Sequence, residues 1–233
     1  LWSPNQPITL TPWHVGKEPG ELRGVVFEST AISSTFNSAG IYSGGSVLQH
    51  TTIEAAGYGS RYAVDAPATA LLVQESTIRN NSAGGLRSHG GVVINNLIAD
   101  NILAVTSDIN GVGISNDSGG WIAGNTVTNN QAIANSWSYR VYGGGIYSSG
   151  GGQVADNMVH DNRIDGVYAA FGGGIYASSG VVARNIVQAN VQEALAYGHG
   201  GGLAVDNAQV TDNHILSNTV DAYYYTYGGG IHG

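Results

Sequence analysis

Gly143-Gly144-Gly145-Ile146 is the first of four closely similar segments in the second half of the chain. The pattern, three glycines and then Ile or Leu, returns at 172–175, 200–203 and 228–231, each time after an aromatic residue or His. The first glycines of successive segments are 29, 28 and 28 residues apart. A fixed period of this size predicts a repeat architecture in which each unit packs on its neighbours.

A second motif, Val/Ile-x-x-Asn-x-Val/Ile-x-x-Asn, has the same period. Its apolar stretches are too short for helices and are separated by turn-forming residues, so each unit is predicted to hold three short strands joined at corners, as a triangular coil. The apolar residues of the motif should then stack inward in two columns, Val93, Ile122, Val154, Val182 and Val210 in one, and Ile98, Val127, Val159, Val187 and Ile215 in the other.

The asparagines of this motif are predicted to occupy the corners. Asn tolerates the left-handed backbone region, and stacked Asn side chains can hydrogen-bond to one another along the axis. We therefore expect an amide ladder, chiefly of Asn130, Asn162, Asn190 and Asn218.

The residue that follows each glycine run can be traced back through the less regular early units. It forms a column of eight residues and so predicts eight coils: Ile41, Val64, Leu86, Ile114, Ile146, Ile175, Leu203 and Ile231. Four of the five prolines lie in the first 19 residues. The expected organisation is thus an irregular initial segment, 1–23, and a single repeat domain, 24–233, with protruding loops in the later coils.

Composition excludes several function classes. The chain has no Cys, so neither a disulfide nor a Cys-based metal site is possible. Its net charge of −8 disfavours nucleic acid and anionic membrane as partners. No apolar run approaches the 18 residues of a membrane span.

The Asn-x-Val-x-x-Asn and Gly-Gly-Gly-Ile-Tyr signatures resemble those of bacterial right-handed parallel β-helix repeat proteins, over nearly the whole chain. They are also similar to the passenger domains of polymorphic outer-membrane proteins and other surface adhesins. The resemblance implies an all-β solenoid, secreted or at the cell surface. It leaves the function open, because a fold does not specify an activity.

Two enzyme classes share this fold, the polygalacturonases and the polysaccharide lyases. Gly198-His199-Gly200 resembles an element of the polygalacturonases, but the remaining residues of that site are absent, and His199 falls in a column otherwise filled by rings. Lyases of this fold need a basic residue, and Lys17, the single lysine, lies in the initial segment. No catalytic residue is therefore assigned.

The segments between the second Asn and the glycine run are predicted to form one protruding wall rich in aromatic residues. Aligned backward from the glycine run, they give two columns, Tyr142/Phe171/His199/Tyr227 and Tyr139/Tyr168/Tyr224, to which Trp137, Tyr197, Tyr223 and Tyr225 add further rings. Such rings could bind a glycan or a second subunit, or could stack on each other and stiffen the loops. Both interpretations remain open at this stage.

A carboxylate column, Asp165, Glu193 and Asp221, precedes the same glycine runs. It is a candidate site for Ca²⁺, because like charges one strand apart repel unless compensated. The alternative is that these side chains point into solvent. No other metal or cofactor is expected.

The chain stops at Gly233, inside a coil. Either the sequence is part of a longer β-helix, or its open end meets another copy, as in a fibre. The function expected overall is a non-enzymatic structural or adhesive β-helix outside the cell or on its surface, with a glycan or a second copy as partner. The alternative is a lyase or hydrolase acting on polysaccharide.

Overall fold

A computed structural model describes residues 7–12, 18–57, 62–104, 106–134 and 136–233. They form a parallel β-solenoid of about six turns, in which three sheets run along the axis. Within these ranges no helix has the length and apolarity needed to cross a membrane. Lys17 and parts of the predicted initial segment, 1–6 and 13–17, lie outside the described residues.

The first sheet contains one short strand per turn, flanked in the later turns by the two asparagines of the motif. Its eight strands are, in stacking order, Ile8–Leu10, Thr51–Glu54, Thr77–Arg79, Leu97–Ala99, Thr126–Thr128, Met158–His160, Ile186–Gln188 and His214–Leu216. The first of these strands comes from the segment predicted to be irregular.

The second sheet follows the glycine run and continues to the first Asn of the next motif, and in two later turns it is unbroken. Its strands are Val25–Val26, Val47–Gln49, Tyr62–Ala66, Leu71–Gln74, Gly84–Ser88, Gly91–Ile94, Ile114–Asn116, Trp121–Ala123, Ile146–Ser148, Gln153–Ala155, Ile175–Ala183, Leu203–Thr211 and Ile231–His232.

The third sheet is formed by the segments predicted to be protruding loops, so that prediction was wrong. The physical reason is a second, smaller core beneath them, where side chains such as Ala132, Ile164, Val167 and Ala170 are buried. The strands are Ile102–Ala104, Ile109–Asn110, Gln131–Ile133, Arg140–Tyr142, Arg163–Phe171, Val191–His199, Thr219–Ala222 and Tyr225–Tyr227.

The solenoid has about six turns, slightly fewer than the eight predicted. Separately, one member of the predicted column is wrong. Ile41 is not part of the column after the glycine run, because it lies in the turn of an antiparallel hairpin, Thr35–Phe36 with Tyr42–Gly44. Val25 pairs with Val64 in its place and begins the column.

Both predicted core columns are confirmed. The strand registers place Val93, Ile122, Val154, Val182 and Val210 one above the other, and likewise Ile98, Val127, Val159, Val187 and Ile215. All are buried except the last member of each column, which is partly buried against the same core.

The amide ladder is also confirmed, and it is double. Asn162 Nδ2 donates to Asn190 Oδ1 at 3.0 Å, and Asn130 Nδ2 donates to Asn162 Oδ1 at 2.9 Å. The same bonds link Asn81, Asn101 and Asn130 before this point and Asn190 to Asn218 after it. A parallel ladder runs through the first Asn of each motif: Asn96, Asn125, Asn157, Asn185 and Asn213.

The left-handed backbone falls one residue earlier than predicted. Asp161, immediately before Asn162, has φ of 56°, and Ala189, before Asn190, has φ of 52°. The ladder asparagines themselves have no positive φ. The preceding residue makes the corner, and the Asn side chain is thereby directed inward to the ladder.

Candidate functional site

The segments of the predicted wall lie in register across the third sheet. Asn110, Tyr142, Phe171, His199 and Tyr227 are successive partners at its end nearest the glycine runs. The residue before each of the first four partners, for example Val141 or Ala170, is buried. Strand alternation therefore directs the ring-bearing residues outward.

The first aromatic column is a continuous face-to-face stack. Ring centroids are 4.8 Å apart for Tyr142 and Phe171, 4.7 Å for Phe171 and His199, and 4.8 Å for His199 and Tyr227. The interplanar angles are 9°, 10° and 19°. The inner rings thus use their faces on each other and present mainly edges, which favours a stiffening role for this column.

His199 occupies a ring-stacking position, as predicted. Burial between its neighbours lowers the pKa of His199 below its ordinary value, and the nearby His232 lowers it further. Its Nδ1 is buried and has no hydrogen-bond partner. The Gly198-His199-Gly200 element is accounted for by the stack.

In the second predicted column, Tyr139/Tyr168/Tyr224, the backbone positions are neighbours as predicted, but the rings do not stack on one another. Tyr168 N bonds to Tyr139 O, and Tyr224 N bonds to Ala196 O, so these positions are neighbours. Because Ala196 supplies no ring, Tyr168 packs edge-on against Tyr197 at 5.4 Å, and Tyr197 stacks on Tyr225 at 5.7 Å. Tyr139 is partly buried against the second core.

Three rings of the wall form an exposed patch. Trp137 is 55% exposed and lies 6.2 Å from Tyr224, which is 58% exposed. Tyr223, 78% exposed, meets Tyr224 edge-on at 4.9 Å. These tilted and edge-on contacts leave ring faces open, so we call Trp137, Tyr223 and Tyr224 the exposed patch.

Beside the exposed patch lies a depression of about 320 Å³, bordered by Tyr223, Glu193 and Asp221. It adjoins the predicted carboxylate column, whose three members are register partners. Carboxylate oxygens next to open ring faces are a combination that suits a sugar, whose hydroxyls donate while its C–H face stacks.

Arg163 lies within the carboxylate column. Its Nε donates to Asp165 Oδ2 and its Nη2 to Glu193 Oε1, both at 2.7 Å. The hydrogen bond to Asp165 raises the pKa of Arg163 above its ordinary value. The guanidinium thus compensates the negative charge of Asp165 and Glu193. In the described part of the chain no group of three or more His, Asp or Glu residues could hold a metal ion.

A further column of rings, on the second sheet, was missed in the sequence. Tyr147 stacks on Tyr176 at 5.6 Å and 7°, and Tyr176 meets Tyr142 edge-on at 5.1 Å across the glycine run. Tyr176 also donates to Asp206 Oδ2 at 2.5 Å, and burial together with that bond raises the pKa of its phenol. The Tyr of Gly-Gly-Gly-Ile-Tyr was the available signal, since the residue after an inward Ile must face outward.

Polar residues gather in the earlier turns of the same corner. Arg87 Nε donates to Asp65 Oδ1 at 2.6 Å, and the guanidinium lies 5.3 Å from the centre of the Tyr62 ring. One turn later, Asp117 pairs with His89 at 2.8 Å. Arg87 and Asp117 border one small depression of about 100 Å³, together with Tyr62, Asp108, Asn110 and Ser115.

The family model described as a right handed beta helix region matches residues 68–232. No curated protein and no solved structure matched the chain. The matched residues include all five turns that carry the complete Asn motif.

Proposed function

Since this chain belongs to the right-handed beta helix family, and since that fold alone does not specify an activity, we propose that its surface defines the function: a non-enzymatic structural or adhesive protein that binds glycans. The proposed binding site is the exposed patch, Trp137, Tyr223 and Tyr224. A glycan-binding role places the protein where glycans are presented, outside the cell or on its surface.

The observation that carries this proposal is the exposure of the three rings next to carboxylates. Open aromatic faces stack on the C–H faces of sugars, and anchors of this kind typically contribute over about 1 kcal/mol each. Glu193 and Asp221, in the adjoining depression, supply acceptors for sugar hydroxyls. The stacked column beside the patch holds the third sheet rigid, which lowers the entropic cost of binding.

Glycan-array binding followed by calorimetry tests the proposal. Replacing Trp137, Tyr223 and Tyr224 together by Ala should weaken binding to the recognised glycan at least tenfold and leave the melting temperature nearly unchanged. Trp121→Ala is the matched control, because Trp121 is similarly exposed (48%) but lies on the second sheet. Equal affinity of the triple variant and the parent would refute the assignment of the patch.

Polysaccharide cleavage is the second candidate function, and it has one observation in its favour. Arg87, Asp108 and Asp117 border the same small depression, so a cation and carboxylates converge as acid–base chemistry requires. Neutral and uronate-containing polysaccharides should both be screened for new reducing ends, and the uronate-containing ones also for unsaturated ends. If the parent protein cleaves a polysaccharide and Arg87→Ala does not, polysaccharide cleavage replaces the non-enzymatic function proposed above.

A further inference from the structure

Both ring columns that flank the glycine run begin in the same turn of the solenoid. On the third sheet the partner of Tyr142 in the preceding turn is Asn110. On the second sheet the partner of Tyr147 in the preceding turn is Ser115. Asn110 and Ser115, two small polar residues, therefore occupy the positions at which one more ring would extend each stack.

This step leaves a recess at the start of the two stacks. A depression of about 290 Å³ is bordered by Asn110, Tyr142, Tyr147 and Tyr176. Tyr142 stacks on Phe171 and Tyr147 on Tyr176, both in the following turn, and within the described ranges neither ring has an aromatic neighbour in the preceding turn. The ring faces directed at the recess are thus available to a ligand.

The recess adjoins the polar depression, since Asn110 borders both. Hydrogen-bonding groups at that end include the amide of Asn110 and the carboxylate of Asp117. A carboxylate has acceptor capacity beyond the one bond that Asp117 makes to His89. Two ring faces at one end and several polar groups at the other match the two sides of a pyranose ring.

We propose that this recess, which we call the notch, binds one uncharged hexopyranose residue of a glycan, stacked against Tyr142 and Tyr147 with its hydroxyls directed at Asn110 and Asp117. Its volume lies close to the lower end of the roughly 300–1,000 Å³ typical of small-molecule sites. The proposal rests on the proposed glycan-binding function but assigns a second site, which shares no residue with the exposed patch.

The charges at the notch specify the class of sugar. Asp108 and Asp117 are accompanied by one guanidinium, Arg87, which is itself paired with Asp65. Asp108 accepts a bond from the backbone N–H of Arg140 at 2.9 Å. A surplus of carboxylates disfavours an anionic uronate, so the notch selects a neutral sugar.

The test fills the notch with an aromatic ring, the group that occupies the equivalent positions in later turns. Ser115→Tyr adds the missing ring of the second-sheet column, and binding of methyl glycosides of glucose, galactose, mannose and N-acetylglucosamine is followed by saturation-transfer NMR. At least one of these probes should bind the parent protein with millimolar affinity and lose at least tenfold in affinity in the variant. Ala204→Tyr is the matched control, because Ala204 occupies the same column between Tyr176 and His232 and lies beyond the notch.

Asn110→Phe fills the notch from the third sheet and provides the second variant should Ser115→Tyr fail to fold, since Asn110 is exposed. Asp117→Asn should weaken the neutral probe while keeping the column intact. Unchanged binding in both filled variants overturns the notch, and so does a parent protein that binds none of the probes. A methyl glucuronoside that binds as well as the neutral glycosides overturns the assigned sugar class.

The two sites fail separately in this design. If glycan binding is lost in the triple Ala variant of the exposed patch but retained in Ser115→Tyr and Asn110→Phe, the notch is refuted and the proposed function stands. If binding is lost in the filled variants but retained in the triple Ala variant, the notch is supported and the exposed patch is refuted as the binding site.

Discussion

An interior ladder Asn such as Asn162 links its own turn to the turns before and after it. Asn162 Oδ1 accepts from both Nδ2 and the backbone N of Asn130, while its Nδ2 donates to Asn190 Oδ1 and to Val127 O. The residue is fully buried, so each of these groups would be left without water if the amide were removed. The amide suits this position because it carries both a donor and an acceptor, so the same bond can repeat along the column.

Asn162→Val should therefore lower the free energy of unfolding by about 2–4 kcal/mol, since it leaves several buried polar groups unpaired. Urea denaturation at neutral pH measures the loss. Asn218→Val is the control: Asn218 ends the described ladder and is only partly buried, so its replacement should cost less. An interior variant as stable as the parent would mean that the ladder does not stabilise the fold.

His199 gives the aromatic stack a dependence on pH. Burial lowers the folded-state pKa of His199, so between the folded and unfolded values the unfolded chain binds more protons, and stability falls as pH is lowered through that range. The melting temperature of the parent should decrease between pH 7.5 and 5 by more than that of His199→Phe, which completes the stack with an apolar ring. His214→Gln, at an exposed His of the first sheet, should retain the dependence of the parent. Identical pH profiles for the parent and His199→Phe would contradict the argument.

At the scale of the strands, the sequence predicted those elements whose periodic residues point inward. Val154, Val159 and Ile175 recur with their equivalents at a constant period, and each strand that they predict is present. The third sheet was not predicted, because its buried positions change residue type from turn to turn. One inward column runs through Leu103, Ala132, Ile164 and Gln192, so no periodic apolar signal marks it in the sequence.

The pairing of rings within the third sheet could not be read from spacing either. The register between the strands 163–171 and 191–199 shifts on both sides of Val167. Alignment backward from the glycine run still gave the correct backbone neighbours for Tyr168, but which ring it packs against depends on the side chain one turn later. Ala196 leaves that place empty, so Tyr168 turns to Tyr197 instead. The exposed patch and the notch depend on such three-dimensional details.

The glycine run allows adjacent turns to approach closely. A Cβ on Gly174 would lie 2.5 Å from Val187 Cγ1 and 2.7 Å from Gly202 O. Gly172, two residues earlier, has φ of 66°, a conformation that L side chains rarely adopt. The run thus contains one glycine required by conformation and others required by space.

Gly174→Ala should cost about 1–3 kcal/mol of stability, because the methyl group meets backbone that cannot move independently. Gly230→Ala is a closely matched control: it is the equivalent position in the last turn, where the nearest atom to the new Cβ is 3.6 Å away. We expect the control to change stability by less than about 0.5 kcal/mol. Thermal melts of the two variants decide the point, and equal losses would show that backbone conformation rather than space sets the cost.

At the scale of the whole molecule, the solenoid is a one-dimensional stack. The first sheet pairs each strand only with the strands one turn before and one turn after it. The two ladders and the aromatic column follow the same rule, with every bond spanning a single turn. Stability in such an architecture is approximately a sum of the intrinsic stability of each turn and the terms between neighbours.

A local defect should therefore loosen the stack near itself more than far away. Val159 is fully buried in the first sheet between Val127 and Val187. Val159→Asp removes its packing, about 1.5–3 kcal/mol, and adds a carboxyl group without a partner, so the total cost should exceed about 3 kcal/mol. Hydrogen exchange followed by mass spectrometry should show faster exchange in peptides that contain Val127 and Val187 than in those that contain Ile53 and Ile78. Leu216→Asp, on the same sheet but 52% exposed, should leave both regions nearly as protected as in the parent. Uniform loss of protection along the chain in Val159→Asp would instead mean that the turns unfold as one cooperative unit, and nearest-neighbour terms would no longer describe the stability of this solenoid.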